Sequence, residues 1–214
     1  NQESINPYPS YTNLNDVQEA IDVIIDFSHS SNLETLLEFA VEKKIPLLIA
    51  TTGISENQHS LIDEASQVIP ILQSGNFSKG LNIMAQVAKD LSAVLNKYDI
   101  EIVEKHHRYK KDAPSGSAQM LFEAVKEEKE NAYAVYDRSQ KDERRSDNEV
   151  GIHSIRAGNI VGEHSLYFVG EYESIEIKHS AYSKEVFVEG AYEAAEYLIK
   201  QGAGRYSYED VIFK

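Results

Sequence analysis

The 214 residues are 42% hydrophobic and 26% charged, a balance that buries a core in one or two globular domains and excludes a disordered or fibrous chain. A formal net charge of −14 and the absence of cysteine exclude disulfides, thiolate catalysis and thiolate-held zinc, and argue against nucleic acid, whose binding needs a basic surface. No apolar run approaches the roughly 18 residues that span a bilayer, and no basic start leads into an apolar stretch. The expectation is a cytoplasmic protein with no membrane contact, whose partner is a small molecule or another copy of itself.

The chain opens on Asn1 and a turn-rich stretch, Asn6-Pro7-Tyr8-Pro9-Ser10, so a preceding segment is expected. Asp22 to Phe27 is an apolar run that predicts a buried strand, and Leu33, Leu36, Leu37, Ala40 and Val41 then recur at helical spacing. The alternation continues with Pro46 to Ala50 as strand, Leu61, Ile62 and Ala65 as a helix face, and Ile69 to Leu72 as strand. Strands alternating with helices predict a doubly wound parallel sheet. Ligands of such sheets bind beyond the carboxyl ends of the strands, which puts Ser28-His29-Ser30, Thr51-Thr52-Gly53 and Gly75-Asn76-Phe77 at one rim.

A helix carrying Leu81, Ile83, Met84, Val87, Ala88, Leu91 and Leu95 follows, and a domain boundary is expected near Ser78. Beyond it Ile152 to Ala157 and Asn159 to Val169 predict paired strands about an Ala157-Gly158-Asn159 turn, with Ser174 to Tyr182 as the next strand. The second domain is therefore expected to be α+β on an open, mixed or antiparallel sheet. A last helix, with Val186, Val188, Ala191, Ala194, Ala195, Leu198 and Ile199, is expected to return to the first domain. Residues 126–130 and 140–148 are charged enough to be an exposed helix end and a loop.

Six of the eight residues from Glu104 to Lys111 are Lys, Arg or His, against the charge of the whole chain. This basic loop runs from a strand, Asp99 to Val103, into Pro114-Ser115-Gly116-Ser117, which opens a helix carrying Met120, Leu121, Ala124 and Val125. A helix N-terminus offers unpaired amides, small residues let an anion approach them, and serine hydroxyls either cap the helix or bind that anion. A carboxylate ligand suits this combination, whereas capping alone also accounts for the serines. In an extended chain His106 and Lys110 would stand about 13 Å apart on one face, so the loop must bend for both to reach one small substrate.

The segment Glu104-Lys105-His106-His107-Arg108-Tyr109-Lys110-Lys111-Asp112-Ala113-Pro114-Ser115-Gly116-Ser117 resembles the signature of the dihydrodipicolinate reductase family, E-x-H-H-x-x-K-x-D-A-P-S-G-T. Asp26-Phe27-Ser28, Thr51-Thr52-Gly53, Asn76-Phe77-Ser78, Ile155 to Gly158 and Val161 to His164 match in order. The resemblance implies a Rossmann-like NADH- or NADPH-binding domain, residues 1–77 and 185–214, and a domain at 78–184 that binds substrate and assembles a homotetramer. It implies reduction of the cyclic dicarboxylate 4-hydroxy-tetrahydrodipicolinate in lysine and diaminopimelate synthesis. By position His106 and Lys110 become the proton-handling pair, and His107, Lys110, Ser115, Gly116 and Ser117 the substrate contacts. Ala50, Thr51, Thr52, Ser74, Asn76 and Phe77 would lie along the cofactor.

Ser117 replaces the family's usual threonine and keeps the hydroxyl. The family's G-x-x-G-x-x-G turn, in a first strand-turn-helix unit, has no counterpart in these residues, so that unit is expected to precede Asn1 and the choice between NADH and NADPH stays open. Which of His106 and Lys110 delivers the proton also stays open. The other histidines, His29, His59, His153, His164 and His179, are expected in packed, rim or surface positions. No zinc-ligand spacing such as H-E-x-x-H joins them, and no metal is expected. A non-catalytic anion-binding or regulatory protein is the competing reading, which the ordered His106, Lys110 and Ser115 disfavour.

Overall fold

The computed structural model describes residues 8–139 and 141–213; Asn6 and Pro7 of the expected opening turn, and Gln140 of the charged loop, lie outside them. The chain divides into two compact units. One runs up to Gln73 and includes Ala194–Tyr206; the other holds Ser74–Glu193 and the residues from Ser207 onward.

The first unit carries four parallel strands in the order β1 (Ile24–Asp26), β2 (Leu47–Ile49), β3 (Pro70–Gln73) and β9 (Gly204–Tyr206). All three residues of β2 are buried, as a central parallel strand requires. Helices α1 (Leu33–Lys43) and α2 (Glu56–Ser66) pack Leu33, Leu36, Leu37, Ala40, Ile62 and Ala65 onto Leu47, Ile49 and Ile71. Helix α1 stops at Lys44, which adopts the left-handed conformation that ends many helices. Helix α2 starts at a capping box in which Ser55 and Gln58 satisfy each other's backbone amides. Pairing aligns Asp26, Ile49 and Gln73, so the segments after β1, β2 and β3 leave from a common edge. Strand β9 escaped the sequence reading because three residues leave no periodicity.

The second unit is a five-stranded mixed sheet, β5 (Tyr133–Val135), β6 (Glu149–Arg156), β4 (Asp99–His106), β7 (Gly162–Val169) and β8 (Ser174–Ala181), in that spatial order. The expected hairpin between the strands now labelled β6 and β7 does not form. Strand β4 lies between them, parallel to β6 and antiparallel to β7, and the connection through Gly158, whose φ is +51°, arches over the end of β4. There the Ala157 amide donates to the His106 carbonyl and the Arg108 amide to the Gly158 carbonyl. A turn signal reports that the chain reverses, not that the flanking strands are adjacent.

Strand β4 alternates strictly, with Ile100, Ile102, Glu104 and His106 on its buried side. Helices α3 (Lys79–Val94) and α4 (Gly116–Glu128) cover that side with Leu81, Met84, Ala85, Ala88, Ala118, Leu121, Phe122 and Val125, against Ile100, Ile102, Val150, Ile152, Leu166 and Phe168. Helix α5 (Glu185–Leu198) starts in this unit and ends in the other, and α6 (Glu209–Ile212) closes the chain. No described helix is long and apolar enough to cross a membrane.

Candidate active site

The helix-covered face of the second sheet is apolar along most of its length and turns polar at one end. On β4 the row Ile100, Ile102 gives way to Glu104 and His106, on β6 Val150 and Ile152 give way to Ser154 and Arg156, and on β7 His164 succeeds Phe168 and Leu166. Register places Ser154, Glu104, His164 and His179 side by side across four strands. Both covering helices begin at this end.

Glu104 is the centre of this polar layer and is fully buried. Arg156 grips it with both terminal nitrogens, at 2.7 and 2.6 Å, His106 Nδ1 lies 2.6 Å from its Oε2, and the Ser115 amide donates to its Oε1 at 3.1 Å. Burial opposes ionisation of the carboxyl, but hydrogen bonds from Arg156, His106 and Ser154 more than offset it and hold the group down to about 2. Arg156 also donates to the Asp112 carbonyl at 2.7 Å, which ties the basic loop to the sheet.

Burial lowers the pKa of His106, the Glu104 carboxylate partly opposes that, and the charges of Lys110 and Arg156 lower it further. The ring is therefore neutral at pH 7, and with an ionised carboxylate at Nδ1 its single proton sits there. Nε2 is left as an acceptor. Space beside it depends on Gly162, where an added Cβ would stand 3.2 Å from Nε2.

The loop bends as the sequence requires, through a turn in which the Lys110 amide donates to the His107 carbonyl at 3.1 Å. Lys110 Nζ pairs with Asp112 at 2.9 Å. His107 Nδ1 is buried with no hydrogen-bond partner among the described residues. Its ring leans toward Tyr109, with centroids 6.3 Å apart.

The three residues opening α4 divide into one strut and two open positions. Ser115 is buried, its amide is committed to Glu104, and its hydroxyl accepts the Ala118 amide and meets His164 Nε2 at 3.0 Å. It is a helix cap, not an exposed anion donor. Gly116 is exposed, with no described residue within 4 Å of where a Cβ would stand, and the half-buried Ser117 hydroxyl accepts from Asn76 Nδ2 at 3.1 Å.

His164, also buried, meets His106 edge-on with centroids 5.3 Å apart. Burial, with the nearby His106, pushes it down to about 4. His179 reaches the Ser78 hydroxyl, the N-cap of α3, at 3.2 Å. The N-cap serines of α3 and α4 thus each bond a sheet histidine. His153 pairs with Glu101, His29 accepts from the Ser31 amide and His59 meets Arg205, away from this layer. Among the described residues no group of His, Asp or Glu is placed to hold a metal ion.

The residues expected along a cofactor fall in both units. In the first, Ala50 is half-buried and Thr52 exposed beyond β2, while Thr51 is buried and donates to Asp26 at 2.8 Å. Asp26 also accepts the Ser28 amide, so one carboxylate binds the segments after β1 and β2 together. In the second, Ser74 donates to the Asn76 carbonyl at 2.8 Å. The Phe77 ring is buried edge-on against Tyr208.

Glu104, Arg156 and His164 were missing from the sequence-derived site. Glu104 stood inside the recognised motif, and the only available signal for it was a lone acid at an inward position of an alternating strand.

Residues 2–77 match a family model described as dihydrodipicolinate reductase, N-terminus, and residues 80–212 match one described as dihydrodipicolinate reductase, C-terminus. A 4-hydroxy-tetrahydrodipicolinate reductase of Caldanaerobacter subterraneus subsp. tengcongensis is 48% identical over 208 residues, 97% of this chain and 83% of its own. One from Exiguobacterium sibiricum is 48% identical over 201 residues, 94% of this chain and 81% of its own. The dipicolinate-bound dihydrodipicolinate reductase from Paenisporosarcina sp. TG-14 superposes with a TM-score of 0.74 at 22% identity, over 89% of this chain and 73% of its own, and shares the fold.

Proposed function

We infer the activity from one premise: this chain belongs to the dihydrodipicolinate reductase family. It reduces 4-hydroxy-tetrahydrodipicolinate to tetrahydrodipicolinate in lysine and diaminopimelate biosynthesis, with NADH or NADPH and release of the 4-hydroxyl as water. The observation that carries this reading is the neutral His106, backed by Glu104, beside a lysine-bearing loop and the unobstructed Gly116 that opens α4.

The first unit suits a dinucleotide because its three strands end at a common edge and the Asp26, Ser28 and Thr51 network fixes the spacing of the segments that leave β1 and β2. Ala50, Thr51 and Thr52 would hold it there, and Ser74, Asn76 and Phe77 form the segment that follows β3. The bound nicotinamide supplies the hydride.

The protein's own part is to hold the dicarboxylate and deliver one proton. One carboxylate sits at the amides of Gly116 and Ser117 with the Ser117 hydroxyl, where the dipole of α4 and charge-assisted hydrogen bonds offset its desolvation. His107 and Lys110 reach the ligand from the loop, and Ser115 supports the cradle from behind. An imidazole protonated only on Nδ1 has nothing to donate from Nε2, whereas the Lys110 ammonium has three donors. Once the 4-hydroxyl has left as water, hydride adds to one carbon of the unsaturated ring and Lys110 protonates its neighbour, and His106 Nε2 accepts a proton and relays it back to the lysine.

The uncovered face of the second sheet forms the homotetramer. It exposes Ile155 and Val169 beside the ladder of Lys105, Glu163 and Lys178, and a two-sided sheet face of this kind calls for a partner.

The test of the reading is oxidation of NADH or NADPH by the purified protein. Oxidation must require 4-hydroxy-tetrahydrodipicolinate and be inhibited competitively by pyridine-2,6-dicarboxylate. Inhibitor binding without turnover would favour the anion-binding reading instead.

A further inference from the structure

Asn76 is bound at every polar group. Its Oδ1 accepts the Ser78 amide at 2.8 Å, its carbonyl accepts from Ser74 Oγ at 2.8 Å and Asn82 Nδ2 at 3.0 Å, and its amide donates to Ser74 Oγ at 3.2 Å. Because Oδ1 must face the Ser78 N–H, the amide nitrogen has one orientation, and it donates to Ser117 Oγ at 3.1 Å. A serine hydroxyl has two acceptor sites and one proton. With one acceptor site filled by Asn76, and no other hydrogen bond at Ser117 Oγ among the described residues, the proton is left for an outside acceptor.

We propose that Asn76 is a positioning residue for the substrate: it turns the Ser117 hydroxyl into a dedicated donor to a carboxylate at the start of α4. The Asn76 side chain then serves the dicarboxylate rather than the nicotinamide cofactor, although its segment follows a strand end of the first sheet. The chemistry selects an anion, since a hydroxyl already accepting a hydrogen bond donates best to a charged oxygen. This inference rests on the reductase reading for the identity of the anion.

The test uses Asn76→Asp, Asn76→Ala, Ser117→Ala and the Asn76→Ala/Ser117→Ala double variant, with kinetics against both substrates and calorimetry with pyridine-2,6-dicarboxylate. Asn76→Asp keeps the acceptor for the Ser78 amide, so it preserves the start of α3 and removes only the donor. It should raise the KM for the dicarboxylate and weaken dipicolinate binding about tenfold, because the Ser117 proton now turns to the aspartate. The KM for NADH or NADPH should stay within about twofold. Asn76→Ala should weaken dipicolinate binding in the wild-type background and have almost no further effect once Ser117 is alanine, the signature of two groups acting as one.

A raised cofactor KM with an unchanged dicarboxylate KM would overturn the proposal, and so would independent, multiplicative effects in the double variant. If the wild type binds dipicolinate but reduces nothing, the reductase reading fails and the calorimetric cycle still decides the role of Asn76.

Discussion

Glu104 and His106 stand two residues apart on one face of β4, and the histidine Nδ1 lies 2.6 Å from the carboxylate. That contact fixes which imidazole nitrogen carries the proton, while the same carboxylate holds Arg156 and the amide that starts α4. Glu104→Gln should therefore cost stability and turnover together. Glu104 is fully buried and Arg156 partly exposed, so losing the carboxylate's charge should cost a few kcal/mol, toward the low end of about 3–5 kcal/mol for a broken buried pair, which chemical denaturation measures. Glu104→Gln/Arg156→Met should recover much of that stability but not the rate. Recovery of both would make Glu104 structural only.

Lys110→Ala should lower kcat at least about a hundredfold, the usual scale for a lost acid-base group, with an unchanged thermal transition. His106→Asn should give a loss of similar size. His107→Ala should act on the KM for the dicarboxylate and spare kcat. A Lys110→Ala enzyme with near-normal kcat would remove the lysine as proton donor.

Ser115 and Gly116, adjacent in sequence, should separate in their effects. Ser115→Ala removes a helix cap, worth about 1 kcal/mol, and strips His164 of its hydroxyl partner, so denaturation should register it. Gly116→Val adds bulk where a ligand must approach the backbone and should weaken pyridine-2,6-dicarboxylate binding with little change in stability. Lys126→Ala, farther along α4, should change neither. Normal inhibitor binding by Gly116→Val would place the ligand elsewhere.

His164 gives the protein a pH dependence of known sign. Its folded pKa of about 4 lies below the ordinary 6.5, so the unfolded chain binds the extra proton and stability falls as pH drops through that window. The loss from His164 is roughly 2 kcal/mol between pH 7 and pH 5. His106 and His179, both lowered by burial, add to it with the same sign. Glu104, held down to about 2, contributes stability above the ordinary carboxylate range and loses it only as pH falls further. His164→Asn should flatten the slope above pH 5 and leave the steeper acid limb. An unchanged slope would mean that His164 is not buried as a neutral ring.

Light scattering should report a tetramer, and Ile155→Asp, on the uncovered face of the second sheet, should dissociate it. A wild-type monomer at micromolar concentration would refute that interface.

Local chemistry already decided a large part of this protein. The spacing of Leu33, Leu36, Leu37 and Ala40 made α1, the Ser55 and Gln58 pair started α2, and the strict alternation through Ile100 and Ile102 fixed which side of β4 faces inward. The run from His106 to Ser117 marked the loop and helix start at which the proposed chemistry gathers. Each of these depends on residues within a few positions of one another, where backbone geometry alone sets the relation. What only the tertiary structure decided is long-range pairing. Periodicity tells which face of a strand is buried but not which strand lies beside it, so the separation of β6 from β7 by β4 was invisible. The partner of Glu104, fifty-two residues away, was hidden for the same reason. The commitment of the Ser115 hydroxyl to His164 and of Asn76 to Ser117 followed from those placements, since a polar group's role is set by which donors and acceptors the packed chain brings within reach.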